Sequence, residues 1–292
     1  MLLCALLLLE IYCEKYLFLK SNPNNLVTTD MTFFSAAKYL KYTIISKHKY
    51  GYGIHSPFVF DLVTRVFRNK IDADIVCCIE KVRKKLITDR RSIVVNDLGT
   101  GSEKLKSNKR KVSDIARYSP VPEKYGILLS NMAAEFGNPL IVEFGTSFGI
   151  STMYMASTCS DTTLNTMEGC PEISQIAIAN FKEAGLNNIN VLTGSFDEKW
   201  SDAISAGIKP GLVFIDGNHR KEPVLKYFNQ ISEISDNKTV VIIDDIYFSK
   251  EMESAWNEIK HSENVTLTID IFRMGIVFFR EGISYQNYTI RY

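Results

Sequence analysis

The chain has 292 residues, 46% of them hydrophobic, enough to bury one large core with a substantial extension. Its net charge is +1, so no global field draws it to nucleic acid or to an anionic membrane. The six cysteines (Cys4, Cys13, Cys77, Cys78, Cys159 and Cys170) form no C-x-x-C pair, which argues against structural zinc and for a reduced, cytoplasmic setting.

The first residues are unusual. LLCALLLL is a short apolar run closed by Glu10, too short to span a bilayer and without the basic start and small-residue cleavage site of a secretory signal. Residues 1–30 are read as a mis-assigned start, with Met31 the initiator, or as an apolar leader. From Thr32 the spacing turns helical: AAKYLKYTIISK carries apolar residues three and four apart. GYGIHSPFVFDLVTRVF then makes a turn and a new start, with Ser56 as N-cap and Pro57 at the first helical position, which predicts a helix over 57–67. Another is expected near 72–87.

Residues 81–111 are rich in lysine and arginine and enclose NDLGTGSEKLKSNKR. Asp97, Gly99 and Gly101 imitate a ligand-binding glycine loop, but the residues after Gly101 are polar and charged and offer no apolar helix to pack behind it, so it reads as a surface or lid loop. A solvated face accounts for the basic run, and an anionic acceptor or nucleic-acid phosphates are its functional reading. Few aromatics are interleaved, so a single-strand stacking groove is not supported.

Beyond residue 119 helices and strands alternate. Helices are predicted over 122–136, 150–158, 171–185, 222–234 and 248–259. Strands are predicted over 139–145, 163–168, 189–193, 211–216, 239–244, 264–269 and 273–280. The segment after 193 reads as looser. Such alternation predicts a parallel sheet wrapped on both faces, and the last two strands, joined by too few residues for a crossover, must pair antiparallel at its edge. Phe272, Ile276 and Phe278 are expected to pack onto the sheet while their neighbours are more exposed. The domain reading is 31–118 as a helical extension and substrate lid, and 119–292 as the α/β domain. GYGIHSPFVF and the basic loop 104–118 are the candidate covers.

Open parallel sheets bind ligands beyond the carboxyl ends of their strands. The first strand ends at Glu143 in IVEFGTSFGIST, where Gly145 and Gly149 frame a loop before Ser151 and Thr152 open a helix. That G-x-x-x-G spacing differs from the dinucleotide and phosphate-loop patterns. The next strand ends at Glu168, where a carboxylate suits a ribose diol. The third ends in TGSFD, with Ser195 and Phe196 able to flank an adenine. The fourth ends at Asp216 in FIDGNH, and the fifth at Asp244-Asp245.

Together, in this order, these motifs resemble the class I S-adenosylmethionine-dependent methyltransferases over about residues 120–280. The resemblance implies a Rossmann-like, doubly wound seven-stranded sheet with a C-terminal antiparallel hairpin, and S-adenosylmethionine as cofactor. Glu143 would hold the methionine amino group or orient the loop. Gly145, Thr146, Ser147 and Gly149 would let backbone approach the cofactor, Glu168 would bind ribose, and Asp216 would face the methionine end. A sharper likeness, to catechol and caffeoyl-coenzyme A O-methyltransferases, implies that Asp216, Asp244 and Asp245 ligate Mg2+ and that His219 is a general base with Asp216 in the catalytic set. The sequence departs from that subgroup: Asp245 stands where asparagine is usual, and His219 where lysine is. The alternative for Asp244-Asp245 is capping of the following helix. The expected reaction is methyl transfer to a small-molecule acceptor, at a hydroxyl oxygen. Its rivals are an RNA or protein acceptor on the same fold and a non-catalytic cofactor-binding protein. No membrane partner is expected, and a homodimer is an open expectation.

Overall fold

A computed structural model describes residues 27–95, 109–204, 207–282 and 284–292. Most of the apolar leader and the loop with Asp97, Gly99 and Gly101 lie outside these. Met31 falls within the first described helix, α1 (Val27–Ile45). Next comes α2 (Pro57–Asp61), started by the Ser56 hydroxyl, which accepts from the Val59 N–H, and continued by a π-helical turn to Val66. After it come α3 (Ala73–Thr88), a two-stranded antiparallel ribbon of β1 (Ser92–Val94) and β2 (Lys109–Lys111), α4 (Val112–Tyr118) and α5 (Glu123–Phe136).

The α/β unit runs β3 (Leu140–Phe144), α6 (Ile150–Ser157), β4 (Thr163–Glu168), α7 (Pro171–Glu183), β5 (Ile189–Thr193), α8 (Phe196–Ala203), β6 (Leu212–Ile215), α9 (Lys221–Ile234), β7 (Val240–Ile243) and α10 (Lys250–Ile259). It closes with β8 (Leu267–Asp270), β9 (Gly275–Phe278) and β10 (Gln286–Thr289). Among the described residues the large sheet has eight strands, in the order β10-β8-β9-β7-β6-β3-β4-β5. The count therefore exceeds the seven expected by one. β10 pairs parallel to β8 and takes the edge the hairpin was predicted to occupy. Among the described strands of this sheet only β9 runs antiparallel, pairing β7 on one side and β8 on the other.

The strands form because their residues are apolar on both faces, as a sheet covered on both sides requires. Along β3, Ile141 points into one hydrophobic cluster while Leu140, Val142 and Phe144 point into the other. β9 divides the same way, with Ile276 and Phe278 on the first face and Val277 on the second. All four β9 residues are buried, so Phe278 does not alternate with exposed neighbours. Phe272 is outside the strand, in the turn before it.

The first cluster also holds Val59, Leu62, Val63, Ile79, Val82 and Leu86 from α2, its π-helical turn and α3. The N-terminal helices thus share one core with the sheet rather than building their own. The GYGIHSPFVF block belongs to this packing: the Phe58 ring meets Phe278 edge-on at 5.3 Å, and Arg280 lies over it at 3.9 Å.

Phe278 is 2% exposed and also touches Phe136. Phe278→Ala should cost about 3–5 kcal/mol, because it removes a large ring from a site walled by both the sheet and the N-terminal helices. Denaturant unfolding checks this, and an unchanged midpoint would refute the packing.

Candidate functional site at the sheet switch point

Strand order reverses between β3 and β6, since β4 and β5 lie to one side of β3 and β6 to the other. Loops leaving neighbouring strands in opposite directions open a crevice there. The structure has a cavity of about 1860 Å3 at this point, lined by the loop after β3, the ends of β4 and β6, and α4, α5 and α9. That exceeds the 300–1,000 Å3 usual for one small ligand and leaves room for two.

Glu143 ends inside the protein, fully buried and away from the cavity lining. Its carboxylate accepts hydrogen bonds from Ser151 (2.6 Å), Thr152 (2.5 Å) and Thr166 (2.7 Å), and Thr146 hydroxyl-bonds Thr166 at 2.6 Å. It therefore ties the end of β3 to the start of α6 and to β4. Burial pushes the carboxyl up to about 7, with the three hydroxyl donors pulling the other way. Of the two roles expected for Glu143, the geometry favours holding the loop over meeting a ligand amine.

The loop itself is tight. Gly145 has φ +101°, and a Cβ there would lie 2.3 Å from the Asp216 carbonyl oxygen, so the β3 and β6 loops touch through this glycine. Gly149 has φ +82° and faces the Phe181 ring, which a Cβ would meet at 2.2 Å; packing of α6 on α7 demands it. Ser147, at φ +48°, donates its N–H to Glu168 at 2.9 Å, and its hydroxyl meets that of Ser119, just after α4, at 3.0 Å. Glu168 lines the cavity and also accepts from the Cys170 N–H at 2.9 Å.

Ser195 has a local duty the strand-end reading did not assign: it caps α8 in a capping box with Glu198. The S-x-x-E pattern was visible in the sequence. Phe196 borders the cavity with its ring edge-on to Phe144 (5.5 Å) and Tyr227 (5.6 Å).

Asp216 and His219 line the opposite end, with His219 Nε2 3.6 Å from Asp216 Oδ1 and its ring against Phe248. Burial, then the charges of Asp244 and Asp245, push the Asp216 carboxyl well above the usual carboxylate range, and Arg273 opposes them. Asp244 is fully buried and is engaged by Arg273: Nε reaches Oδ1 at 2.9 Å and Oδ2 at 3.2 Å, and Nη2 reaches Oδ2 at 2.6 Å. Asp245, at φ +53°, has Oδ1 3.7 Å from Nη2 of the same arginine.

Asp216, Asp244 and Asp245, the residues expected to hold Mg2+, thus lie together with Arg273 among them. Among the described residues no group of three or more histidine, cysteine, aspartate or glutamate side chains is placed to hold a metal ion. A guanidinium sits on both oxygens of the central aspartate. Nor do Asp244-Asp245 cap α10, whose N-cap is Ser249.

Sequence reasoning missed Arg273 and Tyr125, which also line the cavity, with the guanidinium 5.7 Å from the Tyr125 ring. Of the predicted covers, residues 109–118 border the cavity and residues 51–60 do not. Among the described residues no helix is long and apolar enough to cross a membrane.

Residues 142–246 match the family model described as Methyltransferase domain. No curated protein matches the chain. Among solved structures, the SAH-bound methyltransferase PaMTH1 of Podospora anserina superposes with a TM-score of 0.54 at 11% identity, over 78% of this chain and 97% of its own. The O-methyltransferase from Bacillus cereus in complex with SAH gives 0.51 at 18%, over 76% and 97%. The O-methyltransferase TomG from Streptomyces achromogenes, in complex with SAM, gives 0.51 at 16%, over 76% and 96%. The fold is that of the class I methyltransferases, and residues 142–246 match a methyltransferase domain.

Glu143 yields a pH test. The folded state holds its proton more tightly than the unfolded chain, so its contribution to stability is full below about 4.5 and is lost as pH rises through about 7. Glu143→Gln cannot ionise and should lack this slope. Relative to the variant, the wild type should lose about 3 kcal/mol between pH 4.5 and 8. Parallel unfolding curves across that range would show that the carboxyl titrates normally.

Proposed function

We propose that the protein transfers a methyl group from S-adenosylmethionine to a hydroxyl oxygen of a small-molecule acceptor. The observation that carries this reading is the convergence on one cavity of the glycine loop, Glu168, Asp216 and His219, brought there by the ends of different strands. The residues suit the cofactor. Glu168 places a carboxylate on the cavity wall where the ribose hydroxyls would lie, Phe196 an apolar wall for the adenine, Thr146 and Ser147 a loop backbone along the cavity, and Asp216 a carboxyl group near the methionine end. The cofactor supplies an electrophilic methyl group on a sulfonium.

The chain's own residues do the rest. His219 takes the proton from the acceptor hydroxyl, and the Asp216 carboxyl lies 3.6 Å from its ring nitrogen. Residues 109–118 and Tyr125 wall the cavity from the N-terminal side, limiting water and orienting the acceptor. The acceptor is a small molecule rather than a nucleic acid because, among the described lining residues, cationic and carboxylate side chains occur in equal number. Basic residues of α3 are also engaged locally: Arg83 bonds Glu80 and the Val121 carbonyl, and Lys85 pairs with Glu183.

Calorimetric titration with S-adenosylmethionine and S-adenosylhomocysteine tests the reading. Both should bind, and Glu168→Ala should weaken binding roughly tenfold to a hundredfold while still unfolding cooperatively. Absence of binding by the wild type would sink the proposal.

His219→Gln should leave cofactor affinity unchanged and lower turnover of a hydroxylated acceptor by about 10²–10⁴, with the acidic limb of the rate profile abolished. An unaltered pH profile would remove His219 as the base.

A further inference from the structure

We infer that Arg273 is the resident cation of the aspartate cluster, standing where a divalent ion would otherwise be required, and that this site therefore works without metal. The first support is occupancy. Asp244 is fully buried and both its oxygens accept from Arg273, in three contacts between 2.6 and 3.2 Å. A paired arrangement of this kind is the strongest a guanidinium makes with a carboxylate. A divalent ion on Asp244 would have to displace the guanidinium or sit beside a like charge inside the protein. Neither is favourable where the arginine is 6% exposed.

The second support is how the arginine is delivered. It comes directly after Phe272 in the turn between β8 and β9, and Phe272 has φ +71°, a left-handed conformation that a bulky residue rarely adopts. The turn is held in this state from several sides. Asp270 Oδ1 accepts the Phe272 N–H at 2.8 Å, and the Ile271 N–H bonds the Met274 carbonyl at 3.0 Å. The Phe272 ring packs against Tyr39 (5.0 Å) and Tyr42 (5.3 Å) of α1 and against Tyr247 (5.5 Å). Across the cluster, Asp245 is likewise left-handed at φ +53°. Strain kept on both sides of one ion pair marks a geometry the surrounding structure enforces.

The third support is position. Arg273 borders the cavity beside Asp216, His219 and Asp245 and faces the Tyr125 ring from α5. It thus acts as a positioning residue, fixing Asp244 and facing Asp245 at the end of the cavity that holds His219. Together with the proposed methyl-transfer reading, on which this last step rests, the acceptor hydroxyl gives its proton to His219 with no metal ion lowering its pKa.

The test is Mn2+ titration of the full chain, monitored by the paramagnetic resonance of free Mn2+, with and without S-adenosylhomocysteine. The wild type should leave the free signal unchanged. Arg273→Gln uncovers the carboxylates and should bind Mn2+ at least about tenfold more tightly than the wild type, an uptake lost again when Asp244→Asn is added. Uptake of one Mn2+ per wild-type chain, abolished by Asp244→Asn, would overturn the inference. So would a folded Arg273→Gln variant that takes up none. If that variant does not fold, the wild-type titration decides alone. Failure of S-adenosylhomocysteine to bind would strike the proposed function and leave the metal titration readable.

Discussion

A buried carboxylate that has no cationic partner among the described residues sets the shape of the site. Glu143 ends the central strand β3 inside the protein, and three hydroxyls from α6 and β4 converge on it. Losing any one of them would leave buried oxygen lone pairs unsatisfied, so the loop between β3 and α6 has little freedom. Ser147 is thereby held where its N–H meets Glu168, and Gly145 where it contacts the Asp216 carbonyl. The ends of β3, β4 and β6 are coupled through one carboxylate that never reaches the cavity.

Backbone strain marks the same region. Four non-glycine residues have positive φ among the described residues: Ser147, Asn218, Asp245 and Phe272. The first three line the cavity, and Phe272 delivers Arg273 to it. Such conformations cost free energy and persist where neighbours over-determine them, which concentrates them at functional sites. The buried Asp244–Arg273 pair belongs to the same pattern. Breaking it would strand a charge in the interior, whereas keeping it adds little net stability, so its worth lies in placement.

The N-terminal region serves two ends. Its apolar side chains complete one face of the core, and Tyr39 and Tyr42 brace the turn that presents Arg273. Its later part, residues 109–125, meets the cavity, with Ser119 hydroxyl-bonded to Ser147 of the glycine loop. A region legible in the sequence only as helices and a basic loop is therefore structural at the far face of the sheet and part of the site at the near end.

What the sequence determined by itself was local and periodic. β4 and β5 lie where apolar spacing put them, and the other predicted strands and helices of the α/β unit differ by a few residues at their ends. The strand-end residues Glu168, Asp216 and His219 were readable because a parallel sheet sends every strand end to one side. The strand β10, with a weak apolar pattern, escaped notice, although the capping box at Ser195 was there to be read. Only the tertiary structure decided the charge balance. Spacing places Asp216, Asp244 and Asp245 at neighbouring strand ends but cannot reveal which side chain stands opposite them. Arg273, nearly thirty residues beyond Asp244, is brought onto it by the antiparallel return of β9 beside β7. The direction in which Glu143 points was equally invisible, since its three hydroxyl partners come from two other elements and meet only when the sheet has formed.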